Sequence, residues 1–184
     1  MTELQTGASE PIEDFPNAVH PSGLQERLRL LELEPSDAAA LRELWAGLEP
    51  GIGRFVDSFY SFLFSLESTS AFLQDPRLVE RLKRAQVDHI RTLFEAEWNS
   101  EFAERRVRVG QAHAERGIEP HLLVGAYYQL VKHVSGELAG DNREAAPEFT
   151  RRLLVTMQAA LLDICLTLES YFATEHELES QIEE

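Results

Sequence analysis

Residues 148–184 contain neither glycine nor proline, so this stretch can form one uninterrupted helix. Between Leu153 and Phe172, apolar side chains recur around nearly the whole circumference of that helix. A helix that faces a single core needs an apolar stripe only about 100° wide. The opposite face of this helix must therefore be covered by a second surface.

The helix predicted before it, from Pro120 to about Leu138, is also apolar on two sides. One side carries Leu123, Tyr127, Leu130 and Val134, and the other carries Val124, Tyr128 and Val131. Two consecutive helices of this kind predict a homodimer in which they form a four-helix bundle. The alternative is that both faces are filled within one chain.

Capping residues mark the ends of several further helices. Ser36 is a predicted N-cap, Asn99 or Ser100 starts the helix that carries His113, and Asp75 caps a helix whose first residue is a proline. Gly117 is a predicted helix end, because glycine readily adopts the left-handed backbone that terminates helices. The predicted helices cover residues 22–33, 36–47, 54–66, 76–94, 100–117, 120–138 and 147 onward.

Helix-breaking residues and the absence of strand patterns give the remaining boundaries and the fold class. Residues 50–53, Pro-Gly-Ile-Gly, predict a break between two helices. Residues 1–20 are rich in acids and breakers and predict a flexible arm. No Val/Ile/Thr alternation bounded by hairpin signals occurs, so the predicted fold class is all-α.

Charge and cysteine content restrict the partners and the compartment. The chain has 184 residues, enough for one domain, and a formal net charge of −15. We expect no nucleic-acid partner, because binding to phosphates requires a basic surface. Cys165 is the only cysteine, which suits a reducing cytoplasm. With no signal-peptide pattern and no apolar run near ~20 residues, we also expect neither export nor a membrane.

Several cofactor sites are excluded by residue spacing. A carboxylate di-iron bundle needs Glu three residues before His, but the residues three before His89, His113 and His133 are Gln86, Gly110 and Leu130. One cysteine cannot build an iron–sulfur or thiolate zinc site. No GxGxxG or GxxxxGK[ST] string is present to bind phosphates.

His113 is the strongest candidate ligand. It lies near the end of a predicted helix, and Gly110 and Ala114 on the adjoining face are small. We interpret these small residues as allowing a large planar ligand to approach the helix backbone. An imidazole projecting from the last turn is suited to bind the iron of such a ligand.

The sequence around His113 resembles the proximal-histidine region of the globin-coupled sensor family, in which Gly, an aliphatic residue and Pro follow the histidine. Here they are Gly117, Ile118 and Pro120. Two upstream segments match in the same order. Residues 58–60, Ser-Phe-Tyr, followed by Leu63, resemble the family's distal-tyrosine helix, and residues 81–89, followed by Leu93-Phe94, resemble its distal-side helix. The resemblance covers roughly residues 20–180.

The resemblance implies a globin-like sensor globin with an extra N-terminal helix and a long C-terminal helix. The sensor globin domain is then residues 21–172. Residues 173–184 are expected to be a helical lead-out toward an output domain outside this chain.

The resemblance also implies a haem b site. His113 is expected to be the proximal ligand of the haem iron, and Tyr60 to donate a hydrogen bond to dioxygen, although on its own it would be taken as a core tyrosine. Leu82 and Ala85 match distal positions and add bulk without hydrogen bonds. His89 is a rival ligand, expected instead to reach the pocket rim and a haem propionate. The other expected pocket residues are Phe59, Leu63, Val109, Gly110 and Tyr127.

The function implied is a haem-based oxygen sensor, also able to bind CO and NO, that signals as a homodimer through its last two helices. The chain itself is then not an enzyme, and its output module is a kinase, a cyclase or a chemotaxis transducer. Two alternatives remain: a self-standing globin that consumes NO or peroxide, and a haem-free dimerisation module. A Soret band separates the last from the others.

Overall fold

The computed structural model describes residues 21–140 and 146–182, which form α-helices and no β-strand. The predicted all-α class is confirmed. The predicted arm, residues 1–20, lies outside the described residues. In chain order the helices are α1 (Pro21–Leu30), α2 (Pro35–Ser65), α3 (Glu67–Ser70), α4 (Pro76–Glu95), α5 (Ser100–Ala114), α6 (Pro120–Gly140) and α7 (Ala146–Ile182), with a 3₁₀ turn at Ala71–Leu73.

The break predicted at residues 50–53 is wrong, because α2 continues through Pro50. A proline inside a helix removes one backbone hydrogen bond and costs about 3 kcal/mol. On the same helix, the side chains of Leu44, Leu48, Ile52 and Val56 are buried on both sides of the proline. Continuous burial of this face offsets the loss and keeps the helix whole.

The start of α2 also differs from the prediction. Glu34, not Ser36, is the N-cap residue, and Pro35 occupies the first turn. The Glu34 N–H donates to the Asp37 carboxylate at 2.8 Å. This reciprocal capping satisfies a backbone donor that the helix itself cannot, so Ser36 is left inside the first turn.

The other predicted helix starts are confirmed. The Asp75 side chain accepts a hydrogen bond from the Arg77 N–H at 2.9 Å at the start of α4. The Asn99 side chain accepts one from the Phe102 N–H at 2.9 Å at the start of α5. Both caps fix where a helix begins, and so which of its residues face the interior.

Helix α7 is the central element of the core. Val155, Ala159, Leu162 and Leu166 on this helix are buried. The stretch Ala146–Gln181 is long and apolar enough to span a membrane by length and composition alone, yet half of its apolar window is buried inside the fold. Burial of that kind is typical of the core helix of a globular domain.

Polar side-chain contacts join helix α1 to α7. The Arg27 guanidinium forms a two-pronged ion pair with the Glu169 carboxylate. Directly after α1, the Leu31 carbonyl accepts a hydrogen bond from the Gln158 side chain at 2.8 Å. The expected extra N-terminal helix is therefore present and is held to α7 at its C-terminal end.

Gly110 brings α5 against α7. A methyl group added at Gly110 would lie 2.2 Å from the Thr167 carbonyl oxygen and 2.9 Å from the Ser170 Cβ. One turn away, the Ser170 hydroxyl donates to the Val107 carbonyl at 2.8 Å. The prediction that Gly110 faces a planar ligand is therefore wrong, because this glycine permits a close crossing of two helices.

We expect Gly110→Ala to lower the free energy of unfolding by about 1–3 kcal/mol, because the added methyl group must push two helix backbones apart. Gly47→Ala is the matched control. Gly47 lies inside α2 with nothing within 4 Å of an added Cβ, so that change should stabilise the protein by about 0.5–1 kcal/mol. Urea unfolding measures both, and equal effects would contradict the close crossing.

Candidate functional site

His113 is held as a neutral imidazole with one free nitrogen. Its Nδ1 lies 2.7 Å from the Val109 carbonyl oxygen of the preceding turn and donates to it. Burial lowers the pKa of His113, and the charges of His89 and Arg116 lower it further, against the opposing effect of the Val109 bond. The lone pair is therefore on Nε2, as a metal ligand requires.

The backbone of His113 is fixed by the end of α5. The His113 carbonyl accepts a hydrogen bond from the Ile118 N–H at 3.0 Å, and the Ala114 carbonyl accepts one from the Gly117 N–H at 2.9 Å. Gly117 has φ +62°, in the left-handed region. These bonds form a Schellman motif, which confirms Gly117 as the helix-ending residue. Pro120 then opens α6.

One face of α4 carries three of the expected distal residues. Leu82, Ala85 and His89 follow helical spacing, and none of the three is fully buried. The adjoining face, which includes Val79 and Ile90, is buried in the core. Asp88 of α4 lies 3.4 Å from Arg105 of α5, so this part of α4 lies beside α5.

Tyr60 supplies a hydroxyl group. Its side chain is buried on α2, and its ring lies edge-on to Phe59 with centroids 5.7 Å apart. Burial raises the pKa of Tyr60 to about 12, so the hydroxyl keeps its hydrogen. Among the described residues, no group makes a hydrogen bond with this hydroxyl. It is therefore a free donor beside apolar Phe59 and half-buried Leu63.

A buried polar cluster is centred on Asp163, and it was not expected from the sequence. The Arg106 Nε donates to Asp163 Oδ2 at 2.8 Å, and both side chains are completely buried. The Tyr127 hydroxyl donates to Asp163 Oδ1 at 2.5 Å. His89 Nε2 lies 3.1 Å from the Tyr127 oxygen, and Arg106 also donates to Thr92 at 3.2 Å. The signal was available, since Asp163 is an acid within an otherwise apolar stretch.

The expected pocket residues thus divide into two sets. His113 and Val109 lie together on the last turns of α5, whereas His89 on α4 contacts the Tyr127 hydroxyl. Tyr127 is buried, but its hydroxyl is already bonded to Asp163. Gly110 points to α7 instead of a pocket.

A separate cleft of about 280 Å³ lies between α2 and α6. His133 lines it and stacks on Phe55 with ring centroids 4.6 Å apart. The Nδ1 of His133 is 4.0 Å from the carboxylate of Glu137, one turn further along α6. The remaining lining residues include Phe59 and Phe62.

Comparison with solved structures shows the globin fold of sensor proteins. The globin domain of a Geobacter sulfurreducens globin-coupled sensor aligns with a TM-score of 0.74 at 22% identity, covering 80% of this chain and 96% of that one. The ferrous globin domain of E. coli DosC aligns with a TM-score of 0.66 at 16% identity, covering 79% and 97%. The fold expected from the sequence is confirmed.

Sequence comparison gives the family. The haem-based aerotactic transducer HemAT of Halobacterium salinarum is 27% identical over 154 residues, which are 79% of this chain and 32% of that protein. The chain thus spans about a third of the length of this relative. A family model described as Protoglobin matches residues 21–177, most of the chain. The chain therefore belongs to the Protoglobin family.

Proposed function

We propose that this chain is a haem-based oxygen-sensor domain that binds haem b through His113. The observation that carries the proposal is the neutral imidazole of His113, whose Nδ1 is occupied by the Val109 carbonyl and whose Nε2 is free. The name of the Halobacterium relative, a haem-based aerotactic transducer, supports the same conclusion.

The residues around His113 suit a haem group. Its Nδ1–H bond to its own helix fixes both the tautomer and the ring orientation, as metal-binding histidines usually require. Leu82, Leu63 and Val109 are apolar and would favour a hydrophobic ligand, whereas Phe59 lines the separate cleft beside His133. Haem b supplies the iron at which a gas ligand binds.

Tyr60 is the residue proposed to select dioxygen. Its hydroxyl keeps its hydrogen because burial raises its pKa to about 12. A donor in a dry pocket favours a ligand that carries partial negative charge over an apolar gas such as CO. Leu82 and Ala85 offer no competing hydrogen bond.

His89 is not free for the propionate contact expected from the sequence. Its Nε2 lies 3.1 Å from the Tyr127 oxygen and 3.5 Å from Asp163 Oδ1. His89 therefore contributes a hydrogen bond within the fold.

We propose that signalling uses a homodimer formed through α6 and α7. The side chains of Tyr128 and Leu161 on these helices are 63% and 46% exposed. Solvent exposure of a large apolar patch is unfavourable unless it binds a partner. The other exposed apolar residues of these helices are Val124, Leu154, Met157, Phe172 and Leu178.

The route of the signal follows the chain. The Schellman motif after His113 joins α5 directly to α6, so a displacement of His113 reaches the proposed dimer surface through a short rigid connection. Two arrangements of the α6–α7 bundle, biased by gas binding, would pass the signal to an output module. In this proposal the chain is a cytoplasmic sensor and not itself an enzyme.

We expect His113→Ala to lose most of its haem, because it removes the proposed iron ligand, the free Nε2 of a neutral imidazole. The ratio of Soret to protein absorbance of the purified protein measures haem content. His121→Ala is the matched control, since His121 is exposed and pairs with Glu119. Normal haem content and an unchanged ferrous spectrum in His113→Ala would overturn the assignment. A wild-type protein without a Soret band would instead favour a haem-free module.

We expect Tyr60→Phe to speed dioxygen dissociation. Losing a hydrogen bond to a charge-bearing ligand costs about 1.5–3 kcal/mol, which corresponds to roughly a ten- to a hundredfold faster rate. CO dissociation should change little, and Tyr128→Phe, which alters an exposed hydroxyl, should affect neither gas. Stopped-flow ligand replacement measures these rates. If both gases respond equally to Tyr60→Phe, the residue acts by bulk alone.

We expect the double variant Leu161→Glu/Leu168→Glu to be a monomer with normal haem spectra, because charges on the proposed dimer surface repel across it. Analytical ultracentrifugation measures the mass. The exposed residues Glu43 and Ala46 of α2 provide a control surface away from α6 and α7, where Ala46→Glu should leave the dimer intact. A monomeric wild-type protein at micromolar concentration would remove this signalling route.

A further inference from the structure

Asp163 joins four helices at one completely buried carboxylate. It lies on α7, Arg106 lies on α5, Tyr127 lies on α6, and His89 lies on α4. His89 is on the proposed distal face with Leu82 and Ala85, and Arg106 is two turns before His113 on α5. A single group thus contacts both the distal and the proximal helices.

The hydrogen bonds of this cluster have a fixed direction. A carboxylate can only accept hydrogen bonds, so the Tyr127 hydroxyl must point its hydrogen at Asp163 Oδ1, 2.5 Å away. The Tyr127 oxygen can then only accept from His89 Nε2, 3.1 Å away. Nε2 of His89 therefore carries a hydrogen and has no lone pair for a metal.

Asp163 keeps its negative charge in this dry position. Burial raises the pKa of Asp163, but the charges of His89 and Arg106 and the hydrogen bonds from His89 and Tyr127 outweigh it and hold the pKa below its usual range. The hydrogen bonds from His89 to Tyr127 and from Tyr127 to Asp163 therefore keep their direction at any ordinary pH.

We propose that Asp163 is a specificity-determining residue that withholds His89 from the haem iron. Through Tyr127, it keeps Nε2 of His89 protonated and turned into the fold, so the sixth coordination position stays open to a gas. This inference rests on the proposed haem site.

Asp163→Asn reverses the direction of these bonds. The buried Arg106 Nε–H needs an acceptor, so the amide oxygen of the new side chain faces Arg106 and its NH₂ group faces Tyr127. The Tyr127 oxygen then accepts from the amide, and its hydroxyl hydrogen turns to His89 Nε2. His89 becomes the tautomer whose Nε2 has a lone pair.

A second variant covers the case in which Asp163→Asn fails to fold. Removing one partner of a buried ion pair is strongly destabilising, while replacing both with apolar side chains is tolerated far better. In Arg106→Met/Asp163→Leu, Tyr127 has no carboxylate to bind, and its hydroxyl donates to His89 Nε2 instead. In both variants Nε2 of His89 therefore loses its hydrogen, and only a neutral hydrogen bond from Tyr127 holds it in place.

The first measurement is the tautomer of His89, from ¹⁵N NMR of the protein as purified, kept ferrous under CO so that any haem is diamagnetic. We expect a protonated Nε2 in the wild type and an unprotonated Nε2 in either variant. This measurement does not depend on haem being present. An unprotonated Nε2 in the wild type would overturn the inference.

The second measurement is the ferric absorption and EPR spectrum of the haem-loaded protein. We expect the ratio of low-spin bis-histidine species to other ferric species to rise about tenfold in either variant, because His89 then breaks only a neutral hydrogen bond to reach the iron, and no longer one strengthened by the Asp163 charge. Adding His89→Leu should abolish the new signal. Variants with wild-type spectra, or a new signal that survives His89→Leu, would refute the proposal.

Thr167→Val is the matched control. The Thr167 hydroxyl lies 3.4 Å from the same Oδ1 of Asp163, but it does not contact His89. Its loss should leave the tautomer and the ferric spectrum unchanged, and a change equal to that of Asp163→Asn would show a general loosening of the cluster. A wild-type protein without a Soret band would remove the proposed haem function, while the NMR result would still decide the direction of the bonds.

Discussion

The buried ion pair between Arg106 and Asp163 sets the arrangement of the interior. Removing two charges from water is costly, and the attraction between them repays this only when good geometry and further hydrogen bonds satisfy the remaining atoms. Tyr127 on α6 and Thr92 on α4 provide further bonds, while Nη2 of Arg106 is buried with no hydrogen-bond partner among the described residues. The helices must therefore meet at one register, because any slip would leave a buried charge without a partner. The positions of His113 and His89 follow from that register.

The parts of this fold that depend on neighbours in sequence were predictable. The caps at Asp75 and Asn99, the helix end at Gly117 and the start at Pro120 are confirmed because each satisfies backbone groups within a few residues. The choice of His113 also came from a local pattern. The free Nε2 that the structure gives it depends on Val109, one turn away on the same helix.

The parts that depend on contacts between helices were not predictable. From the sequence, Pro50 predicts a break between two helices. Burial of Leu48 and Ile52 on either side of it keeps α2 continuous. From the sequence, Gly110 was expected to leave space for a ligand. Thr167 and Ser170 of α7 fill that space. A sequence shows that Asp163 is a single acid in an apolar helix, but not that Arg106 lies opposite. Only the packing of α5 on α7 brings the two together.

The close crossing at Gly110 and the buried ion pair together lock α5 to α7. Rolling α5 about its own axis would drive the backbone at Gly110 into the Thr167 carbonyl and break the bond between Ser170 and Val107. Sliding α5 along α7 would separate the Arg106 guanidinium from the Asp163 carboxylate, and both are completely buried. Helix α5 can therefore neither turn nor slide on its own. A displacement of His113 would have to carry α5 and α7 together as one rigid pair.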